Sequence, residues 1–180
     1  MTLALPDQLT TARLVLREPR LSDAAAFFEA YTQDIEVARY MTWRPHTALA
    51  ETEAFIAYCM RGWASGSSRP YVVVRRGDDV PIGMLETRLF PHSVDLGYVL
   101  QRKHWGQGFM PESINALCDA ALALPACFRI QATCDAENRA SARTLEKSGF
   151  AYEGKLARHT VLPNLDHEPR ASLIYARCRS

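Results

Sequence analysis

The segment of the chain with the most chemical content covers residues 95–111, DLGYVLQRKHWGQGFMP. Its pattern predicts the end of a strand, a turn containing Gly106 and Gly108, and the start of a helix. The first amides of a helix have no partner inside the helix and lie at the positive end of its dipole. Glycine tolerates a positive φ and lets a ligand approach the backbone closely. This turn, with the basic segment 102–104 beside it, is therefore suited to hold a phosphate or a diphosphate.

Two widespread phosphate-binding motifs are absent from this turn. A P-loop requires Gly-Lys followed by Ser or Thr, and the chain has no such tripeptide. A dinucleotide-binding loop requires a third glycine three positions after Gly108, where Pro111 stands. Since a Gly-x-Gly pair alone is equally typical of a tight turn before a helix, the surrounding residues must decide its function.

The remaining nucleophiles and metal-ligand types are scattered along the chain. There is no Gly-x-Ser-x-Gly motif, no C-x-x-C pair and no metal-ligand spacing of histidines, so we expect no metal site. An odd number of separated cysteines is typical of free thiols in a reducing compartment, which favours a cytoplasmic protein. The residues concerned are His46, His92, His104, His159 and His167, and Cys59, Cys118, Cys127, Cys134 and Cys178.

Composition limits the class of protein. With 180 residues, 48% of them hydrophobic, the chain is long enough for one domain with a full core over residues 1–180. Lys and Arg number 21 and Asp and Glu 20, and this balance argues against a dedicated binder of duplex DNA. No apolar run approaches the roughly 20 residues that span a bilayer, and the first residues lack a signal-peptide pattern. We therefore expect neither a nucleic-acid nor a membrane partner.

Periodicity predicts the elements that position the glycine-containing turn. Serial strands in the middle of the chain favour antiparallel pairing, and later strand–helix–strand passages favour a local parallel pair, so we expect a mixed-sheet α/β fold. Ser22 and Thr47 are expected to cap helices, and Gly149 to end one. The predicted strands are 13–17, 71–76, 82–90, 94–100, 128–135, 151–161 and 172–177, and the predicted helices are 23–32, 35–40, 48–64, 108–124 and 137–148.

Three segments, taken together and in this order, resemble the GNAT superfamily of N-acetyltransferases. They are TARLVLR at 11–17 with SDA at 22–24, LGYVLQRKHWGQGFMPE at 96–112, and NRASARTLEKSGF at 138–150. The chain is most similar to the branch of RimJ/RimL-type ribosomal-protein acetyltransferases, and the resemblance covers about residues 10–178. One departure is visible, because the family pattern has Gln or Arg where this chain has Lys103, which keeps the charge but not the planar fork of arginine.

The resemblance implies a GNAT acyl-CoA N-acyltransferase fold. In that fold a central, mostly antiparallel sheet is flanked by helices, and two neighbouring strands splay apart to admit the pantetheine arm of acetyl-CoA. Backbone groups of Tyr98, Val99 and Leu100 are the implied partners of this arm, and Asn138 matches a position whose side chain bonds it. Asn138 has the alternative role of satisfying amides at a helix start. The diphosphate is expected on the amides of His104, Gly106, Gln107, Gly108 and Phe109, close to Lys103.

The implied reaction is direct transfer of an acetyl group from acetyl-CoA to a primary amine in a ternary complex. Ser141 matches the position of a hydroxyl proposed to hydrogen-bond the cofactor sulfur, and Tyr98 and Tyr152 are rival hydroxyls. Glu86 and Asp95 are candidate general bases, acting directly or through a water. A reaction without a base is the other alternative, since some free amine is always present.

The acceptor amine is left open between a protein N-terminus and a small amine such as a polyamine, an amino acid or an antibiotic. Candidate wall residues of its pocket are Tyr31, Tyr40, Trp43, Phe90 and Tyr98, with Glu36 to attract a cation. An alternative from a different class is a catalytically silent CoA-binding sensor or scaffold, and a third is a nucleotide-phosphate binder. Amine-dependent release of the CoA thiol distinguishes the enzyme from the silent module. The resemblance also allows a homodimer.

Overall fold

An eight-stranded sheet forms the centre of the protein in the computed structural model, which describes residues 3–179. The strands are β1 (Gln8–Thr10), β2 (Leu14–Arg17), β3 (Tyr71–Arg75), β4 (Val80–Leu89), β5 (Ser93–Leu100), β6 (Arg129–Asp135), β7 (Ala151–Val161) and β8 (Pro169–Cys178). They lie side by side in the order β1-β2-β3-β4-β5-β6-β8-β7. Only β5 and β6 pair in parallel, and all other described neighbours are antiparallel. The mixed, mostly antiparallel sheet confirms the predicted fold class.

Helices cover both faces of this sheet. They are α1 (Asp23–Phe27), α2 (Ile35–Ala38), α3 (Leu49–Ser65), α4 (Phe109–Leu122) and α5 (Arg139–Lys147). Alternate residues of β3 point to opposite faces. Val73 belongs to the core beneath α4 and α5, whereas Val72 and Val74 belong to a second core beneath α1 and α3. The sheet therefore separates a face covered by α4 and α5 from a face covered by α1 and α3.

The two parallel strands separate partway along their length. Their register runs from Ser93 opposite Arg129 to Leu96 opposite Ala132 and stops there. Beyond this point β5 continues to Leu100 alongside β4, and β6 continues alongside β8. We call the opening between residues 97–100 of β5 and 133–135 of β6 the fork. It is the splay that the resemblance implies.

The N-terminal helices differ from the prediction in their caps and in their regularity. Ser22 makes no capping bond with its side chain, so that prediction is wrong. The Asp23 carboxylate instead binds the Arg17 guanidinium at 2.8 and 2.9 Å and accepts the Arg20 amide at 2.8 Å. After α1 the chain forms a π-helical turn, Phe28–Thr32, where the sequence predicts a continuous helix.

Two further predictions concern other chain segments. Thr47 does not cap α3, because Ala48 occupies the N-cap position and the Glu51 carboxylate accepts the amides of both residues. Gly149 has a φ of 78° just after α5, as predicted for a residue that ends a helix. Within residues 3–179 no helix has both the length and the apolar composition needed to cross a membrane.

Candidate active site

Hydrogen bonds at the two ends of β5 show which residues bond to β4. In an antiparallel pair every second residue bonds to a given neighbour. At one end the amide of Phe90 donates to the carbonyl of Ser93 at 2.9 Å, and at the other the amide of Gln101 donates to the carbonyl of Ile82 at 2.8 Å. The odd-numbered residues of β5 therefore direct their backbone groups to β4, and the even-numbered residues direct theirs to the other side.

This alternation leaves the backbone of two residues facing the fork. Tyr98 and Leu100 lie beyond the last parallel pair, so β6 does not use their backbone groups. The Leu100 carbonyl accepts the indole N–H of Trp105 at 2.8 Å, which leaves the Leu100 amide for a ligand. Val99 stands opposite Met84 and is directed to β4. Of the three predicted backbone partners, two therefore face the fork and Val99 does not.

The glycine turn, residues 101–109, follows β5 directly. Gly106 and Gly108 have φ angles of 74° and 78°, in the left-handed region that side chains with a Cβ disfavour. A Cβ on Gly108 would lie 3.5 Å from the Arg13 guanidinium. Among the hydrogen bonds of residues 3–179, the amides of residues 106–109 have no acceptor. Four adjacent donors at a helix start are thus available to an anion.

His104 belongs to the framework of this turn. Its amide donates to the carbonyl of Gln101 at 2.9 Å, so it is not the free donor that the sequence leads us to expect. Its ring is buried with its centroid 5.6 Å from that of Phe109. Burial, followed by the charges of Lys103 and Arg75, lowers the pKa of His104, which keeps the imidazole neutral at pH 7. Lys103 has an exposed side chain, and its backbone carbonyl accepts a hydrogen bond from the side-chain amide of Gln107 at 2.8 Å.

A clamp from the N-terminal segment fixes the glycine turn from outside. The Arg13 guanidinium donates to the carbonyl of Gln107 at 3.0 Å and lies 4.4 Å from the ring centroid of Phe109. The Glu112 carboxylate in α4 accepts hydrogen bonds from the Arg13 Nε at 2.6 Å and from the Thr11 hydroxyl at 2.6 Å. It also accepts the Arg13 amide at 3.0 Å. Burial alone would raise the pKa of Glu112, but the hydrogen bonds from Thr11 and Arg13 together lower it.

Sequence reasoning missed this clamp as part of the site. Its three residues lie inside the segments that carry the family resemblance, but a pairing between residues about a hundred positions apart leaves no local pattern. The only available signal was that a TARL segment and the glycine turn occur together in one family.

The start of α5 presents Asn138 and Ser141 beneath the fork. The Asn138 Oδ1 accepts the Ser141 amide at 3.1 Å, so its carbonyl oxygen takes the capping role that was the alternative reading. Its Nδ2 group has no acceptor among residues 3–179 and is available as a donor. The Ser141 hydroxyl lies 2.6 Å from the Tyr98 hydroxyl, which connects α5 to β5.

The other rival hydroxyl lies elsewhere. Tyr152 is exposed on β7, and its ring packs against that of Tyr175 with 5.6 Å between centroids. Of the two rival hydroxyls, Tyr98 therefore contacts Ser141, whereas Tyr152 packs against Tyr175.

The two candidate bases share one arginine on the α1/α3 side of β4 and β5, which we call the carboxylate face. Arg88 lies 3.4 Å from Glu86 and 3.1 Å from Asp95. Glu86 stands opposite Gly97, and a Cβ built on Gly97 would be 3.7 Å from its Oε2. Asp95 stands opposite Gln131, where β5 and β6 are still paired. Glu86 is therefore the carboxylate beside the fork, and Asp95 lies further back along the closed part of the sheet.

The residues predicted to line the acceptor pocket lie in separate parts of the structure. Tyr31 is fully enclosed in the α1/α3 core, and its hydroxyl has no partner within the described residues. Phe90 lies in the β4–β5 turn, at the end of β5 away from the fork. Trp43 lies where the β7–β8 loop docks, because the Asn164 amide donates to the carbonyls of Trp43 at 2.8 Å and Ala38 at 2.7 Å.

The comparisons with known proteins agree with this geometry. The sequence profile of the Acetyltransferase (GNAT) domain matches residues 13–151. The uncharacterized N-acetyltransferase p20 of Bacillus licheniformis is 29% identical over 153 residues, 83% of this chain and 85% of that protein. Many solved structures share the fold, among them two with bound acetyl-CoA or coenzyme A. The microcin C7 self-immunity acetyltransferase MccE, in complex with acetyl-CoA and AMP, has a TM-score of 0.84, with 20% identity and 93% of each chain covered.

The second is RimL, the ribosomal L7/L12 alpha-N-protein acetyltransferase, in complex with coenzyme A. Its TM-score is 0.83, with 20% identity, 99% of this chain covered and 98% of that chain. At these identities the structural likeness establishes the fold, and the domain match establishes the family.

The chain belongs to the GNAT family of acetyltransferases. It is an N-acetyltransferase that transfers an acetyl group from acetyl-CoA to an amine. No comparison supports the catalytically silent alternative. Residues 3–179 hold no group of three or more potential metal ligands.

Proposed function

We propose that acetyl-CoA binds along the fork and the glycine turn. Its pantetheine arm lies against the backbone of Tyr98 and Leu100 and accepts a hydrogen bond from the Asn138 Nδ2, and its diphosphate receives the amides of residues 106–109. Lys103 adds positive charge next to that anion. Val99 and His104 leave the set because their backbone groups bond within the protein. The observation that carries the proposal is the row of amides, without acceptors in the described part of the chain, at the mouth of a split sheet.

Acetyl-CoA supplies an acyl group activated as a thioester. The acceptor nitrogen bonds to the carbonyl carbon, the C–S bond breaks with its electron pair on sulfur, and the amine loses a proton. Ser141 stabilises the sulfur by a hydrogen bond, because a serine hydroxyl is too weak an acid to protonate it fully at neutral pH. Glu86 receives the amine proton, directly or through a water, because it is the carboxylate beside the fork. Asp95 holds Arg88.

The acceptor is a primary amine carried by a peptide N-terminus or by a small molecule. The solved relatives point to both sources, since RimL is named for a ribosomal protein N-terminus and MccE for self-immunity to a microcin. In this chain the acceptor approaches from the carboxylate face, where Glu86 attracts its ammonium group before proton loss.

Binding of the cosubstrate is tested first. Thermal denaturation with acetyl-CoA, ATP and NAD as separate additions should show stabilisation by acetyl-CoA, with much smaller effects of the other two, because specific binding raises apparent stability. Equal stabilisation by ATP would favour a general nucleotide-phosphate binder.

An acceptor screen then tests the reaction. Mass spectrometry of a panel of N-terminal peptides, polyamines, amino acids and antibiotics incubated with acetyl-CoA should show acetylated products that require the protein. The Glu86→Gln variant should reduce product without reducing the stabilisation by acetyl-CoA. A loss of both would remove Glu86 from the acceptor side.

We also propose a homodimer. The edge strand β7 is exposed along most of its length and carries Tyr152 and Val161 at the surface, which supports pairing with a second copy. Sedimentation equilibrium should give the mass of two chains, and a single-chain mass over the micromolar range would contradict it.

A further inference from the structure

We infer that Tyr98 is a positioning residue, which aims the hydroxyl of Ser141 at the sulfur of the cosubstrate. The inference rests on the proposed role of Ser141 and adds a second residue, which acts only through the first. It follows from a hydrogen bond that connects β5, one side of the fork, to α5 beneath it.

The contact between these two side chains is short and sheltered. The Tyr98 hydroxyl lies 2.6 Å from the Ser141 hydroxyl and 3.1 Å from the Ser141 carbonyl oxygen. Burial raises the pKa of Tyr98 above its ordinary value, and its hydrogen bond with Ser141 opposes this only in part. The phenol therefore stays protonated and is a hydrogen-bond donor throughout the working pH range.

The count of hydrogens gives the contact its direction. A serine hydroxyl has one hydrogen and two lone pairs. The Ser141 carbonyl can only accept, so the single hydrogen of the Tyr98 hydroxyl is directed to Ser141 and can be shared between its carbonyl and its hydroxyl oxygen. With Tyr98 as the donor to both oxygens, the Ser141 hydrogen does not point at Tyr98 and is left for a different acceptor. The Ser141 amide is already bound to Asn138, which fixes the backbone from which this hydroxyl projects. The free direction for the hydrogen is then the fork.

Three titratable groups surround the pair, and none of them is as strong an acceptor for this hydrogen as a thiolate. They are Cys134 on β6, Tyr175 on β8 and Glu146 on α5. Burial raises the pKa of the Cys134 thiol to about 11, and a hydrogen bond with the Ser141 hydroxyl lowers it only in part. The thiol is therefore neutral at pH 7, and a neutral sulfur is a weaker acceptor than the thiolate of CoA. Tyr175 donates to Glu146 at 3.2 Å, which occupies that carboxylate. When the cosubstrate is bound, the thiolate of the departing CoA is thus the anion placed next to Ser141.

The consequence is electrostatic. As the C–S bond breaks, its electron pair remains on sulfur, and the Ser141 O–H donates to that thiolate without transferring its proton. Donation from Tyr98 polarises the Ser141 oxygen and strengthens the second hydrogen bond in the chain. Removing the Tyr98 hydroxyl should therefore weaken the stabilisation of the thiolate even though Tyr98 never contacts it.

The test uses bound coenzyme A and needs no acceptor. The ultraviolet absorbance of the thiolate, measured against the protein alone, reports the pKa of the CoA thiol in the complex. In the wild-type complex this pKa should lie below that of free CoA. Ser141→Ala should raise it by about one unit, which is the weight of a hydrogen bond to a charged group. Tyr98→Phe should raise it by about half as much.

The double variant separates positioning from packing. If Tyr98 acts through Ser141, Tyr98→Phe should cause no further shift in the Ser141→Ala background. An equal shift in both backgrounds would mean that Tyr98 acts on sulfur by another route and would overturn the inference, as would an unchanged thiol pKa in Tyr98→Phe alone. Tyr152→Phe is the matched control and should leave the thiol pKa unchanged.

Two outcomes concern the foundation of the inference. If the wild-type protein does not bind CoA, the proposed function is wrong. If the pKa of the CoA thiol is the same in Ser141→Ala as in wild type, the proposed role of Ser141 is wrong. Either result would also overturn the inference. If Tyr98→Phe does not fold, a fluorinated tyrosine at position 98 replaces it. This residue is a stronger donor of similar size and should lower the thiol pKa by about 0.2 unit, whereas no change would overturn the inference.

Discussion

The glycine turn and the carboxylate face hold their functional groups by different means. In the glycine turn the donors are main-chain amides, and their direction is set by two glycines with positive φ and by the clamp of Arg13 and Glu112. On the carboxylate face the groups are side chains, and their positions depend on a shared arginine at the protein surface.

This difference predicts different sensitivity to substitution. Except by substitution with proline, a main-chain donor cannot be removed by changing its own side chain, so other substitutions act on the glycine turn through its conformation or its clamp. A side-chain carboxylate disappears with a single substitution that leaves the fold unchanged. Substitutions in the glycine turn should thus act on the affinity for CoA, and those on the carboxylate face should act on turnover.

The largest effect is expected for Gly108→Trp. Position 108 needs a φ of 78°, and a Cβ there points toward Arg13, so a large side chain would displace the amides and fill the approach to them. Calorimetric titration with CoA should show a loss of affinity of at least about 100-fold.

Gly66→Trp is the matched control for this substitution. Gly66 has a φ of 71° at the end of α3 and open space around it, so it carries a similar conformational penalty far from the turn. It should lose stability and keep its affinity for CoA. Wild-type affinity in Gly108→Trp would place the diphosphate elsewhere.

Glu86→Gln should have the next largest effect, on turnover. With an acceptor identified by the screen, kcat should fall about 100-fold while the affinity for CoA is unchanged, as expected for loss of a proton acceptor. Asp95→Asn, which alters the other partner of Arg88, should change kcat by less than about tenfold, because the exposed ion pair contributes little by itself. If Asp95→Asn has the larger effect, the roles of the two carboxylates are reversed.

The same two regions show what could be predicted from the sequence. The glycine turn was predictable because its requirements are local: a strand, two glycines and a helix start follow one another within 15 residues or so. The fork was predicted only through the family resemblance, and the register that ends at Leu96 confirms it. The occupied amide of His104 was not predictable, since a 3₁₀ turn over Arg102–His104 leaves no periodic signal.

Contacts between distant segments were beyond sequence reasoning. The clamp of Thr11, Arg13 and Glu112 joins residues about a hundred positions apart, and the Tyr98–Ser141 contact joins a strand to a helix that follows another strand. The strand β1 was missed because three residues with one half-buried position give no alternation to detect. Ser22 misled because Asp23 and Arg17 form a buried ion pair that controls how α1 begins.

Glu112→Gln tests whether the clamp matters to the glycine turn. Losing the charge weakens the bonds from Thr11 and Arg13, so the affinity for CoA should fall about tenfold and stability by about 2 kcal/mol at pH 7. Glu153→Gln is a matched control, because Glu153 also pairs with an arginine, Arg129, but at the other end of the sheet. It should leave the affinity for CoA unchanged.

The pH dependence of the same variant gives an independent check. Because the pKa of Glu112 is lower in the folded protein than its ordinary 4.5, its contribution to stability is complete above that value. The contribution is lost as the pH falls through the folded-state pKa. Urea denaturation should therefore show a stability difference between wild type and Glu112→Gln that is constant from pH 7 to about 5 and shrinks below pH 4.5. A difference that grows on acidification would mean that another group dominates.

Lys103→Ala should have the smallest effect, because an exposed lysine attracts the diphosphate only across solvent. The affinity for CoA should fall about threefold at low salt and approach the wild-type value as added salt screens the charge. Lys103→Arg restores the residue type that the family pattern has and should bind at least as tightly as wild type. Lys155→Ala on the exposed strand β7 removes the same charge at a distance and should show neither effect. A loss of affinity in Lys103→Ala that does not depend on salt would mean that the Lys103 side chain helps to hold the turn itself. Lys103 would then belong to the framework that His104 and Gln107 provide, and its charge would not be what attracts the diphosphate.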